Sequence, residues 1–322
     1  MLRRQHPREP LDCLRREAPA AAAAIAAAGG GTPGYGGRVQ WFAGGEQCLE
    51  PLLRALRGAS SRIWLALRCA RDGVVWDTVL YALRQRAARG VDVRLILGPG
   101  CRFAELGALR HMRIRCIRGD PGPACVLVDG ALCFAGPIAL RDEWAALRSG
   151  RRHHTAPCLR LEGAAAAVFA RAFAIRWHRL TGQTPPALPP PKQSGGYCYA
   201  MPMDAGALRR AAATAILRAE RSVRLQGRDL RLAPALGLAG RAGVHVASRR
   251  AGTTACCIDG TCAILGGPGG GLWLYGDGTA GLEALLASAD GRCAGSDTKE
   301  ELYGGMQASA GDRGAPAGDA AG

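Results

Sequence analysis

The sequence predicts an α/β protein built from two similar halves. Three observations point there. Segments with strand character alternate with segments that carry the helical i, i+3, i+4 apolar spacing. The series restarts after a proline-rich stretch. A unit of apolar strand, Asp-Gly turn and apolar strand occurs twice, as "PGPACVLVDGALCFAG" (121–136) and "GTTACCIDGTCAILGG" (252–267).

Residues 1–37 read as a flexible leader whose run "APAAAAAIAAAGGG" is too short and too alanine-rich to cross a membrane. The first expected strand is "RVQWFAGG". Next, "CLEPLLRALRGASS" sets Leu49, Leu52, Leu53 and Leu56 in a helical stripe. "RIWLALRC" is a buried strand, and "VVWDTVLYALRQRAARG" a helix closed by Gly90. "VDVRLILGPG" is a strand, "FAELGALRHM" a short helix, "RIRCIRG" a strand, and the first Asp-Gly hairpin follows. "LRLEGAAAAVFARAFAIRWHRLTG" is a strand and then a long helix ending at Gly182. The connector "QTPPALPPPKQSGG" marks the clearest boundary. Beyond it come a strand (YCYAMPM), a helix (LRRAAATAILRAERS), a strand (VRLQGR), a short helix (LAPALGLAGRAG), a strand (VHVASRR) and the second hairpin. From about Ala294 the composition is Gly, Ala, Ser and Asp, that of a disordered tail.

The halves repeat each other in detail. Ala59 matches Ala219, Ile63 matches Val223, Leu65 matches Leu225, Gly90 matches Gly243, and Asp129-Gly130 matches Asp259-Gly260. Gly90 and Asp129 are 39 residues apart, whereas Gly243 and Asp259 are 16 apart. The second half is therefore shortened, with an element lost. The expected boundaries are a leader at 1–37, a first half at 38–182, a linker at 183–195, a second half at 196–293 and a tail at 294–322.

With 42 Lys plus Arg against 26 acidic residues, the formal net charge is +16, and lysine stands only at Lys192 and Lys299. Arginine binds phosphate bidentately, so an anionic phospholipid or membrane surface is the expected partner, a protein partner is a second, and nucleic acid ranks below both. The same arginine, alanine and glycine excess is also what a GC-rich genome writes. Thirteen cysteines fall mostly in apolar runs, with no paired CxxC spacing, so neither zinc nor any other metal or cofactor is expected. The odd count without a signal peptide points to a reducing compartment: a cytoplasmic protein, at most peripheral at a membrane.

Over residues 38–182, and more faintly over 196–293, the chain resembles the phospholipase D superfamily, most closely its cardiolipin synthase branch. The run "RGVDVR", the segment "VDGALCFAGPIALRDEW" and the closing "LRLEGAAAAVFARAFAIRWHRLTG" carry the likeness. The resemblance implies two halves about a pseudo-twofold axis, with a phosphodiester cleft between them. Family enzymes carry HxKxxxxD once per half: one histidine attacks phosphorus, the other protonates the leaving alcohol, and the lysines hold the phosphoryl oxygens. Here the aspartates stand as Asp129 and Asp259, but the histidine positions hold Gly122 and Gly252 and the lysine positions hold Ala124 and Thr254. None of these four can act as a base or supply positive charge. The expected function is a catalytically inactive phospholipase D-like protein that binds anionic phospholipid or another phosphodiester, or scaffolds a partner.

Two alternatives stay open. One is a phosphatidyltransferase using noncanonical residues, with His153 and His154 as its bases. The other is a viral phospholipase D-like protein acting in envelope wrapping or host interference, with a palmitoylated cysteine. "RRHH" (Arg151, Arg152, His153, His154) is the anion-binding candidate and reads otherwise as an exposed basic loop. Asp142 and Glu143 read as an acidic pair at a helix N-terminus. "GGPGGGLWLYGDG" (266–278) lacks the Lys-Ser/Thr of a phosphate loop.

Overall fold

The computed structural model describes residues 20–102, 111–147, 156–188, 190, 198–227, 232–249, 254–267 and 270–291. The fold is mixed α/β, with two mixed sheets flanked by helices. Both sheets belong to one compact body that runs to Leu285; of the described residues, 286–291 at the end of the final helix lie beyond it.

The first sheet grows outward from β3 (Arg62–Arg71). Its central residues Ile63–Leu67 are buried, as a strand covered on both faces must be. Parallel to it runs β4 (Asp92–Arg102), with β5 (Arg113–Cys116) parallel again at the edge. On the other flank lie β6 (Cys125–Val128), β7 (Leu132–Ala135), β9 (Cys158–Glu162) and β2 (Val39–Phe42), all antiparallel, while β8 (Ala139–Leu140) pairs with the end of β3. Helices α2 (Gly45–Gly58) and α3 (Val74–Ala87) cover one face. Cys48, Leu52, Leu53 and Leu56 of α2 and Val75, Trp76, Val79 and Leu83 of α3 meet Ile63, Leu65, Val93 and Leu95 there. Burying side chains of this size contributes about 1.5–3 kcal/mol each.

The opposite face is covered by α4 (Ala164–Thr181), which ends where the left-handed Gly182 donates to the His178 carbonyl. Trp64 stacks on Phe173 at 5.3 Å, and Phe173 on Trp177 at 6.1 Å. Arg94 is 1% exposed and lies over Trp177, held by Asp92, which also accepts from the Trp64 indole.

The second sheet contains β10 (Cys198–Met203), β11 (Ser222–Gln226), β12 (His245–Arg249), β13 (Thr254–Ile258), β14 (Cys262–Gly267) and β15 (Gly270–Gly276). Its order, β10-β15-β14-β13-β11-β12, repeats β2-β9-β7-β6-β3-β4 of the first. Register repeats too: Ile63 stands opposite Val128, and Val223 opposite Ile258. Of the glycine-rich "GGPGGGLWLYGDG", Gly266 and Gly267 end β14 and Gly270–Gly276 form β15, buried throughout. The first sheet continues past β4 to β5, whereas among the described residues the second ends at β12, in keeping with the shorter spacing before Asp259. Helices α5 (Ala205–Leu217) and α6 (Ala233–Arg241) cover the second sheet, and α7 (Ala280–Gly291) follows β15 as α4 follows β9.

Two expectations are corrected. The leader does not stay flexible through residue 37. Residues Ala20–Gly29 form a helix, α1, that packs on α5 with Ile25 and Ala26 buried, and β1 (Gly34–Tyr35) adds to the edge of β10. Secondly, Asp142 does not begin its own helix. It is 8% exposed, and its carboxylate accepts the Val75 N–H, so it caps α3 from a distant part of the chain. Gly73, at φ 152°, leaves the room: a Cβ there would lie 2.8 Å from the Asp142 oxygens. The tail at 294–322 and most of "FAELGALRHM" lie outside the described residues. No helix among the described residues is long and apolar enough to cross a membrane.

Candidate functional site

The two Asp-Gly turns have the same construction. Asp129 (φ 52°) and Asp259 (φ 51°) both adopt the left-handed conformation, each followed by a glycine at φ 73°. The Asp129 carboxylate accepts from the backbone N–H groups of Ser60, Ser61 and Arg62, and from both serine hydroxyls. Asp259 accepts from the N–H groups of Glu220, Arg221 and Ser222. Burial alone would raise the Asp129 pKa. The donors of Arg62, Ser60 and Ser61 outweigh it and bring the value down to about 2. Each aspartate thus ties a hairpin turn to the start of the neighbouring strand. Each stands at the far end of its strand from the motif's other positions: five residues of β-structure span about 16 Å.

The opposite ends of these hairpins meet in a cavity of about 40 Å3. Pro123, Ala124, Gly136 and Pro137 come from the ends of the first sheet's hairpin, Leu265 and Gly266 from β14 of the second's, and Gly270, Gly271 and Leu272 from the neighbouring β15, with Arg68 at the side. Gly136, just past β7, and Gly266, within β14, occupy equivalent positions relative to Asp129 and Asp259, and a Cβ on Gly136 would lie 3.9 Å from Leu265. Ala124, a lysine position in the resemblance, lines this seam. Thr254, its counterpart, pairs with Gly266 one strand away. Gly252 lies outside the described residues, as do Arg151, Arg152, His153 and His154.

Gly122 is buried behind the seam in a left-handed conformation (φ 84°). A Cβ built on it would lie 3.5 Å from the Arg176 guanidinium nitrogen and 3.7 Å from Arg176 Cδ. Arg176, reaching from α4, is therefore the side chain that a larger residue at position 122 would pack against. Asp120 Oδ1 accepts from the Gly122 N–H at 2.9 Å and pairs with Arg68 at 2.9 Å. Burial lowers the Arg176 pKa from its ordinary value; Asp120 opposes that shift and Arg179 adds to it. Arg68, Asp120 and Arg176 were not singled out by the sequence. The one signal for Arg68 is a charge interrupting the apolar strand "IWLALRCA".

Chemically, this arrangement offers cations and no activated nucleophile among the described lining residues. The nearest thiol in sequence, Cys125, has its pKa pushed up to about 12 by burial, which leaves it as inert thiol near neutral pH. No group of three or more His, Cys, Asp or Glu side chains suited to a metal ion occurs among the described residues.

No protein-family model matches the sequence, and no curated protein does either. Solved structures match at the level of fold. Phosphatidylserine synthase from Haemophilus influenzae Rd KW20 superposes with a TM-score of 0.58 at 8% identity, covering 84% of this chain and 89% of that one. NucT from Helicobacter pylori gives 0.33 at 10% identity over 46% of this chain and 98% of its own. TrmBL2, an archaeal chromatin protein, gives 0.31 at 16% identity over 44% of this chain and 53% of its own.

Proposed function

Starting from the two-sheet, phospholipase D-like fold that this chain has, we propose that the protein is a catalytically silent relative of the phospholipase D superfamily that binds the phosphate of an anionic phospholipid. One observation carries this reading. The seam where the two hairpins converge is walled by Ala124, Gly136, Pro137, Leu265 and Gly266, with Arg68 as its ionisable lining residue. Such a wall binds an anion and has no means of attacking one. Function resides in the side chains of the site, not in the fold, so the shared architecture alone does not restore turnover. The net charge of +16 favours approach to an anionic surface. A solved phosphatidylserine synthase shares the fold, in keeping with a cleft that accommodates a phospholipid headgroup.

Liposome flotation across salt concentrations, run beside a phosphodiesterase and transphosphatidylation assay on the same preparation, tests the proposal. The expected result is binding to vesicles containing phosphatidylglycerol that weakens as salt rises, with no turnover. Equal flotation on neutral vesicles, or no flotation at any salt, overturns the lipid assignment.

A further inference from the structure

Resting on that reading of the seam, we infer that Arg68 and Arg176 form a phosphate-binding pair, poised by Asp120, in the place where the superfamily resemblance puts a histidine. The pair is built from parts that motif comparison does not reach. Arg68 comes from the end of β3, Arg176 from α4, and Asp120 from the loop before β6. Arg68 donates to Asp120 Oδ1, which also holds the Gly122 N–H and so fixes the loop on which the histidine position sits. Arg176 lies against Gly122, and its buried Nε has no hydrogen-bond partner among the described residues. Two guanidinium groups against one carboxylate leave the corner with an excess positive charge. A buried guanidinium N–H without a partner adds an unmet demand for an acceptor.

Access and size agree with a phosphate. The Arg68 and Asp120 side chains are 32% and 39% exposed, so a solute reaches them. Arg68 lines the adjoining cavity of about 40 Å3, which is too small for a sugar ring or an acyl chain. Arg176 and Asp120 do not line it, so a phosphate held by the pair sits at the Arg68 edge of the cavity with its substituents projecting outward. Asp120 is then an internal competitor: its carboxylate occupies an Arg68 donor that an incoming phosphate would use. Bidentate geometry favours arginine over lysine for this task.

Isothermal titration calorimetry on the full chain tests the pair with two probes, inorganic phosphate and a short-chain phosphatidylglycerol below its micellar concentration. Arg68→Gln and Arg176→Gln are each expected to weaken affinity roughly tenfold or more. Asp120→Asn is expected to tighten it about threefold or more, a gain that misfolding cannot imitate. Arg54→Ala, on the outer face of α2 with its side chain 77% exposed, is the comparison variant and is expected to keep wild-type affinity for both probes. Binding of the diester assigns the subsite to lipid headgroups, and binding of inorganic phosphate alone assigns the same pair to a free phosphate. If the wild type binds but Arg68→Gln, melting like wild type, keeps its affinity and Asp120→Asn gains none, the pair is wrong while anion binding by the protein stands. If the wild type binds neither probe, both the pair and the lipid-binding reading fall.

Discussion

Asp129 should be worth one to two kilocalories of stability and nothing to chemistry, and Asp129→Asn isolates that contribution. Asparagine tolerates the left-handed conformation that Asp129 holds at φ 52°, so the turn itself is not strained. What changes is the charge facing the three backbone N–H groups and two hydroxyls of residues 60–62. The folded pKa is about 2, against an ordinary 3.8. A difference of 3.8 − 2 = 1.8 units corresponds to about 2.4 kcal/mol at 1.36 kcal/mol per unit. The carboxylate is partly open to solvent, and screening reduces this to about 1–2 kcal/mol. A depressed folded pKa means that the stability is fully present above pH ~4 and is lost as pH falls through ~2. Urea denaturation at pH 7 should show Asp129→Asn less stable by about 1–2 kcal/mol. The gap between wild type and variant should hold down to pH ~4.5 and narrow at lower pH. A variant within ~0.3 kcal/mol of wild type at neutral pH, or a gap that widens in acid, would refute the reasoning.

Three further outcomes follow from other sites. Asp92→Ala strands the Arg94 guanidinium, itself 1% exposed, and frees the Trp64 indole, so a loss of about 3–5 kcal/mol is expected in urea melts; a loss under ~1 kcal/mol contradicts it. Gly122→His meets both the φ of 84° and the Arg176 side chain, so it should lower the melting temperature and produce no phosphodiesterase turnover; a stable variant with turnover would show that the seam is intact but for that side chain. Native-state maleimide labelling with peptide mapping should modify exposed Cys116 at neutral pH and spare Cys125 and Cys262, whose pKa values burial pushes up to about 12; their labelling without unfolding would contradict the packing.

The hairpins, the succession of elements along the chain and the shortened second half were legible because local chemistry dictates them, whereas the order of strands within each sheet was not. Asp-Gly between apolar runs forces a turn, and the strands that follow have no polar face to expose. The matched residues fall into matched registers, Ile63 with Val223 and Gly90 with Gly243, the last two both at φ 85°. Helix α1 was not legible, since an alanine run has no apolar stripe and its order depends on Ile25 and Ala26 meeting α5. The role of Asp142 was hidden because its partner, the Val75 N–H, lies 67 residues away. The corner of Arg68, Asp120 and Arg176 was hidden for the same reason: its members join β3, a loop and α4, and no spacing in the chain announces them.

The central claim is that a phosphodiester-handling architecture persists here with an inert seam. The most direct test is a single-turnover reaction with phosphate-labelled phosphatidylglycerol, quenched and searched for a labelled covalent phosphatidyl-protein adduct and, separately, for released glycerol headgroup. The account predicts neither above a heat-denatured control. Headgroup release together with a labelled histidine, above all His153 or His154, would contradict it.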